Sequence, residues 1–192
     1  MRKTILTLGA ALTLAGCFGG AKVPDTLMTL NPAQSRAAAT TRSAAEGQAI
    51  TVVVPTVPRE LQTLRVPVHE TELGISYLKN AQWVEMPSEL FARLVSETIA
   101  ATTGRVVLDP KQFTFDPGQR LTGTLQRFGL DATRMEVVAV YDAVLARQGG
   151  GITSRRFEAR VPVAAVDGPT VAPALNQAAN QIATEVAGWV GA

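Results

Sequence analysis

Apolar and charged residues alternate along the chain between residues 152 and 163. The apolar positions are Phe157, Ala159, Val161 and Val163, and the charged positions are Arg156, Glu158 and Arg160. A period of two residues predicts a β-strand that buries one face and exposes the other. We therefore expect the charged face of this strand to point toward water or toward a partner.

The two stretches before this strand are predicted to pair with it. One covers roughly residues 111–130, with a bend near 116–118, and the other covers 134–147. Residues 131–133 and 148–151 have the composition of the turns that join antiparallel neighbours. The three strands are expected to form a meander.

Further strands are predicted in the N-terminal half of the chain. ITVVVPTV at 50–57 is rich in β-branched residues, and LRVPV (64–68) and LGISYLK (73–79) predict one more strand, or two with a break between them. TLMTL at 26–30 is apolar enough to form a short strand.

Two other stretches follow the period of a helix. Residues 87–104 place one set of apolar side chains on a single face, namely Leu90, Phe91, Leu94, Val95 and Ile99. Pro87 suits the first turn and Gly104 suits the C-terminal cap, while Trp83 is expected to fold onto this helix. A second helix is predicted over about 170–190, with the stripe Val171, Leu175, Ala178, Ile182, Val186 and Trp189.

The order of strands, helix, meander and helix predicts an α+β fold. Two amphipathic helices that cover one face of a sheet bury both apolar stripes, so we expect a two-layer sandwich with a largely antiparallel sheet. Residues 50–192 are expected to form a single domain. The solvated sheet face and the loops at 33–48 and 69–72 are candidate docking surfaces.

The N-terminus has the order of a secretory signal. Arg2 and Lys3 precede an apolar run over 4–14, which is too short to span a bilayer. The run ends in Leu-Ala-Gly before Cys17, which is the only cysteine of the chain. This ending resembles the bacterial lipobox, because small residues give a peptidase access and the thiol can form a thioether with a diacylglyceryl group.

We therefore predict a signal peptide over residues 1–16 and a lipid at Cys17, which becomes the first residue of the mature protein. The covalent diacylglycerol and an N-acyl chain together anchor a protein stably, whereas one chain holds it only marginally. The alternative is a small buried cysteine in an apolar helix. In enteric bacteria, an Asp directly after the lipidated cysteine retains a lipoprotein in the inner membrane. This chain has Phe18 at that position, which favours a location of the protein at the periplasmic face of the outer membrane.

Residues 17–49 are rich in Ala, Gly, Thr and Ser. This composition is typical of a flexible linker. We expect a lipidated N-terminus and a tether there, interrupted by the short strand, that lets the body stand off the membrane.

The charge of the chain changes when the signal is removed. Lys and Arg number 18 against 16 for Asp and Glu, and Arg2 and Lys3 account for the difference. A neutral mature chain gives no electrostatic reason to bind nucleic acid. A lone cysteine excludes an intramolecular disulfide, and no Cys/His cluster can hold zinc.

A search for catalytic groups gives weak candidates. His69 is the only histidine, and with Glu70 and Glu72 it falls in a predicted break where solvated side chains are common. Gly149-Gly150-Gly151 lacks the Lys-Ser/Thr ending of a phosphate loop, so a hairpin turn is expected. Arg155-Arg156 could bind lipid head groups, although a solvated strand face explains the pair more simply. We therefore expect no enzyme activity, no metal site and no cofactor apart from the lipid.

Several stretches together resemble a known family. They are the lipobox, TLMTL, ITVVVPTVPRELQTLRVPV, ELGISYLKNAQWVEMPSELFARLVSETI, and RFEARVPV followed by a long helix. The phrase around Ala81-Gln82-Trp83, with Pro87 and the helix after it, carries most of the likeness. The chain is similar to the ABC-type transport auxiliary lipoproteins, whose members include paraquat-inducible protein C-like lipoproteins.

The resemblance implies a place in the envelope of Gram-negative bacteria. Members accompany ABC transporters whose substrate-binding protein is of the mammalian-cell-entry type, and these systems move lipids between the inner and outer membranes. The expected function is therefore that of an auxiliary component anchored in the outer membrane, which docks on that substrate-binding protein. The alternatives are a lipid- or solute-binding periplasmic lipoprotein and, with less support, an envelope hydrolase. The sequence leaves open whether the chain forms a homo-oligomer.

Overall fold

The fold is seen in a computed structural model. It describes residues 26–34, 41–45, 47–110, 118–147 and 149–191. The strands are β1 (Ile50–Val52), β2 (Arg65–His69), β3 (Ile75–Gln82), β4 (Val107–Leu108), β5 (Gln119–Asp131), β6 (Glu136–Arg147) and β7 (Gly151–Pro162). The helices are α1 (Pro87–Thr103) and α2 (Gly168–Gly191).

The long strands β5, β6 and β7 form the predicted antiparallel meander. β6 lies between its two neighbours, with Tyr141 opposite Leu125 on one side and Phe157 on the other. β7 runs from Gly151 to Pro162 and buries every second residue after Arg156. The alternation that predicted this strand is therefore confirmed.

The second edge of β5 holds two short strands, one behind the other. β1 pairs in parallel with the beginning of β5, where Ile50 lies opposite Gln119, and β2 pairs in parallel with its end, where Val68 lies opposite Leu130. Between them a bridge joins Thr56 to the middle of β5. β4 extends β1 in parallel, and β3 extends β2 as an antiparallel hairpin partner.

The α+β prediction is confirmed, and the sheet of seven described strands is mixed. Its long pairs are antiparallel, and the parallel pairs are short. They arise because residues 50–69 run beside β5 in the direction of β5. The one or two strands predicted over 64–79 are two, β2 and β3.

Both helices occupy the predicted stretches. α1 begins at Pro87 and ends before Gly104, whose backbone is left-handed with a φ of 72°. α2 begins at Gly168, slightly earlier than predicted, because Asp167 accepts a hydrogen bond from the backbone N–H of Thr170 at 2.8 Å. Pro173 lies inside this helix, close to its N-terminal end.

Aromatic rings fill the space between α1 and the sheet. Trp83 stacks on Phe128 of β5, with ring centroids 5.4 Å apart. Phe91 of α1 meets the edges of Phe128 and Tyr141, at 6.4 and 5.1 Å. Trp83 is 1% exposed and its ring stacks on the sheet, whereas the sequence predicted that it folds onto α1.

Some further boundaries differ from the predictions. The described part of the strand predicted over 111–130 begins at Gln119, while residues 111–117, with most of the predicted bend at 116–118, lie outside the described residues. The strand predicted over 50–57 is shorter, since β1 ends at Val52 and Thr56 forms a separate bridge. β4 is not apparent from the sequence, since two residues carry no period. The short strand predicted at 26–30 is a single parallel bridge between Met28 and Trp83.

Candidate functional site

The predicted lipid attachment point, Cys17, lies outside the described residues. The structure shows where the chain that follows it joins the body. Met28 donates its N–H to the Gln82 carbonyl at 2.7 Å and accepts from the N–H of Val84 at 2.9 Å. Leu30 is 7% exposed and belongs to the core. We call residues 26–34 the anchor segment.

Two asparagines on α2 hold the anchor segment by its backbone. The N–H of Asn31 donates to Asn176 Oδ1 at 2.8 Å, and the N–H of Ala33 donates to Asn180 Oδ1 at 2.7 Å. Asn180 Nδ2 donates in turn to the Asn31 carbonyl at 2.9 Å. A spacing of four residues places both amides on one face of the helix, so they act together. We call this pair the amide clasp.

The amide clasp changes the length of the tether. The composition of residues 17–49 predicts a flexible linker, but residues 28–33 lie on the body. Arg42 also donates to the carbonyl of Ala100 at the end of α1. The clasp residues carried no signal of their own in the sequence, because asparagine on a solvated helix face is common. Only their spacing of one helical turn could have indicated a shared partner.

The predicted charged face lies on the side of the sheet away from the helices. Its side chains form ion pairs both between neighbouring strands and within β7. Arg156 donates to both carboxylate oxygens of Asp142, at 2.6 and 2.7 Å. Arg160 donates to Glu158 at 2.6 Å and also to Glu136. We call this surface the outer face.

Hydrogen bonds lower the pKa values of two acids, Asp142 and Asp131. The hydrogen bond from Arg156 holds the pKa of Asp142 below its usual range. The pKa of Asp131 is lowered chiefly by the hydroxyl of Thr133, which donates at 2.6 Å. Both carboxylates are therefore ionised at neutral pH, and the outer face presents balanced charge of both signs.

Two valines lie beneath these charges. Val138 and Val140 belong to the outer side of β6, opposite Arg160 and Glu158, yet they are 1% and 7% exposed. The surrounding long side chains cover them with their apolar stems. On the outer face, charged side chains thus lie over the buried side chains of Val138 and Val140.

The structure does not bring the three candidate chemical residues into one site. His69 closes β2 and contacts Glu60, with Nε2 to Oε1 at 3.3 Å. Glu70 accepts from the hydroxyl of Ser76 at 2.7 Å, and Glu72 is exposed in the turn between β2 and β3. In the described ranges, no group of three His, Cys, Asp or Glu side chains could hold a metal ion.

A cleft of about 360 Å³ lies between α1 and the β1–β4 edge. Its walls combine Val52 and Val107 with the charged side chains Glu85, Arg93 and Glu97. Sites for apolar ligands are lined mostly by apolar and aromatic side chains. The charged wall therefore gives no support to an acyl-chain pocket.

None of the helices within the described residues is long and apolar enough to cross a membrane.

The N-terminal residues define the class of the protein. The model of the prokaryotic membrane lipoprotein lipid attachment site matches residues 1–17, so the chain is a membrane lipoprotein by sequence. It belongs to the family of ABC-type transport auxiliary lipoprotein components, whose model matches residues 29–187. The resemblance drawn from the sequence is confirmed. No curated protein matches the chain significantly.

Solved structures share the fold. The crystal structure of an uncharacterized protein superposes with a TM-score of 0.65 at 17% identity, covering 76% of this chain and 94% of that one. The crystal structure of a DUF330-family protein from Xanthomonas campestris gives 0.62 at 21% identity, covering 88% and 93%. At these identities the likeness establishes the fold alone.

Proposed function

We propose that the chain is an auxiliary component of an ABC-type lipid transport system of the mammalian-cell-entry type, anchored at the periplasmic face of the outer membrane. The family match over residues 29–187 carries this proposal. We propose that the body acts by docking on a partner protein and not by catalysis. The chain is predicted to divide into a signal peptide over 1–16, a lipidated N-terminus over 17–49 and one domain over 50–192.

The anchor is assigned to Cys17. The lipid attachment model ends at this residue, which is the only cysteine of the chain. Metabolic labelling with a radioactive fatty acid is expected to mark the wild-type protein and to leave Cys17→Ser unlabelled. Equal labelling of both would contradict the assignment. Density-gradient separation of the two membranes then tests the location, which rests on Phe18 in place of Asp.

The outer face is the candidate docking surface for the substrate-binding component of the transporter. Its balanced charges stay solvated and ordered, which suits the polar rim of an interface that forms between two folded proteins. A face of this kind selects its partner by the pattern of charge more than by area.

Site-specific photocrosslinking in cells tests this docking surface. A crosslinking residue in place of Glu158 on the outer face should capture a mammalian-cell-entry-type protein, identified by mass spectrometry. The same residue in place of Gln181, which is exposed on α2, is the matched control. Capture of that protein from neither position would contradict the proposed partner, and capture from position 181 alone would move the docking surface to the helices.

A further inference from the structure

The turn that joins β6 to β7 forms a basic end of the sheet. No acidic residue occurs between Asp142 and Glu158, whereas Arg147, Arg155 and Arg156 fall in this stretch. We call residues 143–147 and 149–157 the basic hairpin. Glycines follow Arg147 and begin β7, and residues 151–156 are all exposed.

A large apolar side chain stands at the tip of the basic hairpin. Ile152 is 74% exposed; it follows three glycines and lies opposite Ala146, so its described neighbours in the hairpin are small. An exposed isoleucine between a glycine turn and arginines has the composition of a peptide that enters the head-group region of a bilayer. Single exposed apolar residues are common on proteins. The positive charge around Ile152 is what distinguishes this position.

Two of the three arginines form no ion pair with a described residue. The third, Arg156, forms an ion pair with Asp142. Arg155 lies over the ring of Phe157, at 4.9 Å from its centroid. Within the described part of the chain, neither Arg147 nor Arg155 forms an ion pair. Among the described residues, the basic hairpin therefore carries two arginines without an acidic partner, and this positive charge attracts an anionic surface.

The opposite end of the sheet provides a natural contrast. The turn between β2 and β3 also exposes a large apolar residue, Leu73, at 98%. Here the neighbours are Glu70 and Glu72, which an anionic surface repels. The two turns thus differ in charge and resemble each other in apolar exposure.

We propose that the basic hairpin contacts the anionic bilayer in which the chain is anchored, with Ile152 among the head groups. The inference rests on the proposed lipid at Cys17. A bilayer suits the hairpin better than a protein does, because a stable protein interface takes roughly 20 residues or more from each partner, whereas the hairpin offers one exposed large apolar side chain beside its arginines. For a body already held at the membrane the contact is intramolecular, so a small attraction suffices.

The length of the chain allows this contact. Met28 joins the body beside Trp83, which stacks on Phe128, and the basic hairpin lies at the other end of β5. At about 3.3 Å per residue, the nine steps from Phe128 to Gln119 span roughly 30 Å. The eleven steps from Cys17 to Met28 can reach about 36 Å when extended.

Fluorescence of the lipidated mature protein in vesicles tests the proposal. Ile152→Cys carries an environment-sensitive label, and Leu73→Cys carries the same label as the control. Vesicles contain spin-labelled lipid head groups and either one third phosphatidylglycerol or phosphatidylcholine alone. We expect quenching at position 152 to exceed that at 73 by about threefold or more, and only with phosphatidylglycerol.

Charge variants separate this contact from other causes. Arg147→Glu with Arg155→Glu should reduce quenching at position 152 to the control level, while Arg134→Glu at the other end of the sheet should not. Equal quenching at both positions, or no dependence on phosphatidylglycerol, would overturn the proposal. So would a spectral change at 152 that needs the periplasmic transporter protein and no vesicles. The intact mass shows whether Cys17 carries lipid, and its absence would identify a failure of the proposed anchor, which ends both proposals.

Discussion

The Asp142 carboxylate ties three strands together on a solvated surface. It accepts two hydrogen bonds from Arg156 of β7 and one from Gln126 of β5 at 3.1 Å. Cross-strand pairs of this kind favour one register over its neighbours. Because the Arg156 side chain is 63% exposed, solvent weakens the ion pair, and its main contribution is to order the outer face.

Replacing Asp142 by Asn is expected to destabilise the protein at neutral pH and to have little effect in acid. The hydrogen bond from Arg156 lowers the pKa of Asp142 from its usual value of 3.8. A carboxyl whose pKa is lower in the folded state stabilises that state above about pH 4, and the stabilisation is lost as the pH falls through the folded pKa. Urea denaturation midpoints of Asp142→Asn and the wild type, at neutral pH and at about pH 2, measure the change.

The matched control for this experiment is Glu72→Gln. Glu72 is exposed in a turn and forms no ion pair in the described part of the chain. Its midpoint should follow that of the wild type at both pH values. A loss of stability in Asp142→Asn that is equal at both pH values would contradict a role for the ionised carboxylate.

At the scale of elements, the end of α1 depends on a single glycine. Gly104 adopts a φ of 72°, a conformation that other residues reach only with strain. Gly188 lies inside α2, and a methyl group there would meet nothing within 4 Å. The same substitution at the two sites should therefore have opposite effects.

Gly104→Ala is expected to lower the free energy of unfolding by about 1 kcal/mol. Gly188→Ala is expected to raise it by up to about 1 kcal/mol, because alanine is the better helix former. Urea denaturation of both variants gives the two values. A destabilisation by both would show that packing, and not backbone conformation, controls these positions.

The sequence predicted α1, α2 and the meander because their signals are local. A helical stripe with a proline at its start and a glycine at its end needs no information from elsewhere. The place of β1 and β2 along one edge of β5 depends on a strand far along the chain, and no period in residues 50–69 indicates it. The amide clasp was missed for the same reason, since the partners of Asn176 and Asn180 are backbone groups of the anchor segment.

At the scale of the whole molecule, the attachment of the anchor segment shortens the distance between body and lipid. From Cys17 to Met28 the chain can span about 36 Å, whereas a free chain as far as residue 49 could extend to nearly three times that length. The proposed lipoprotein therefore holds its body close to the membrane surface. Contacts with the bilayer and with a membrane-bound partner then compete within a small volume.

Removing both clasp amides, by Asn176→Ala with Asn180→Ala, should loosen the anchor segment without unfolding the body. The N–H groups of Asn31 and Ala33 lose their acceptors. Their hydrogen exchange is expected to accelerate by about tenfold or more, while amides in β6 keep their protection.

Gln177→Ala, at the exposed neighbouring position, is the control for the clasp variant. Its exchange at residues 31 and 33 should match the wild type. Unchanged exchange in the double variant would show that Met28 and the buried Leu30 hold the segment by themselves.

The pairing of β1 and β2 with β5 also sets the order of folding. Both short strands are made early in synthesis, but their partner β5 follows later: Gln119 comes 69 residues after Ile50, and Leu130 comes 62 residues after Val68. These contacts are therefore expected to form late and slowly. A chain that must cross a membrane in an extended form, as the proposed signal peptide requires, benefits from this delay. The topology that completes the sheet thereby leaves β1 and β2 without their β5 partner until the rest of the chain has arrived.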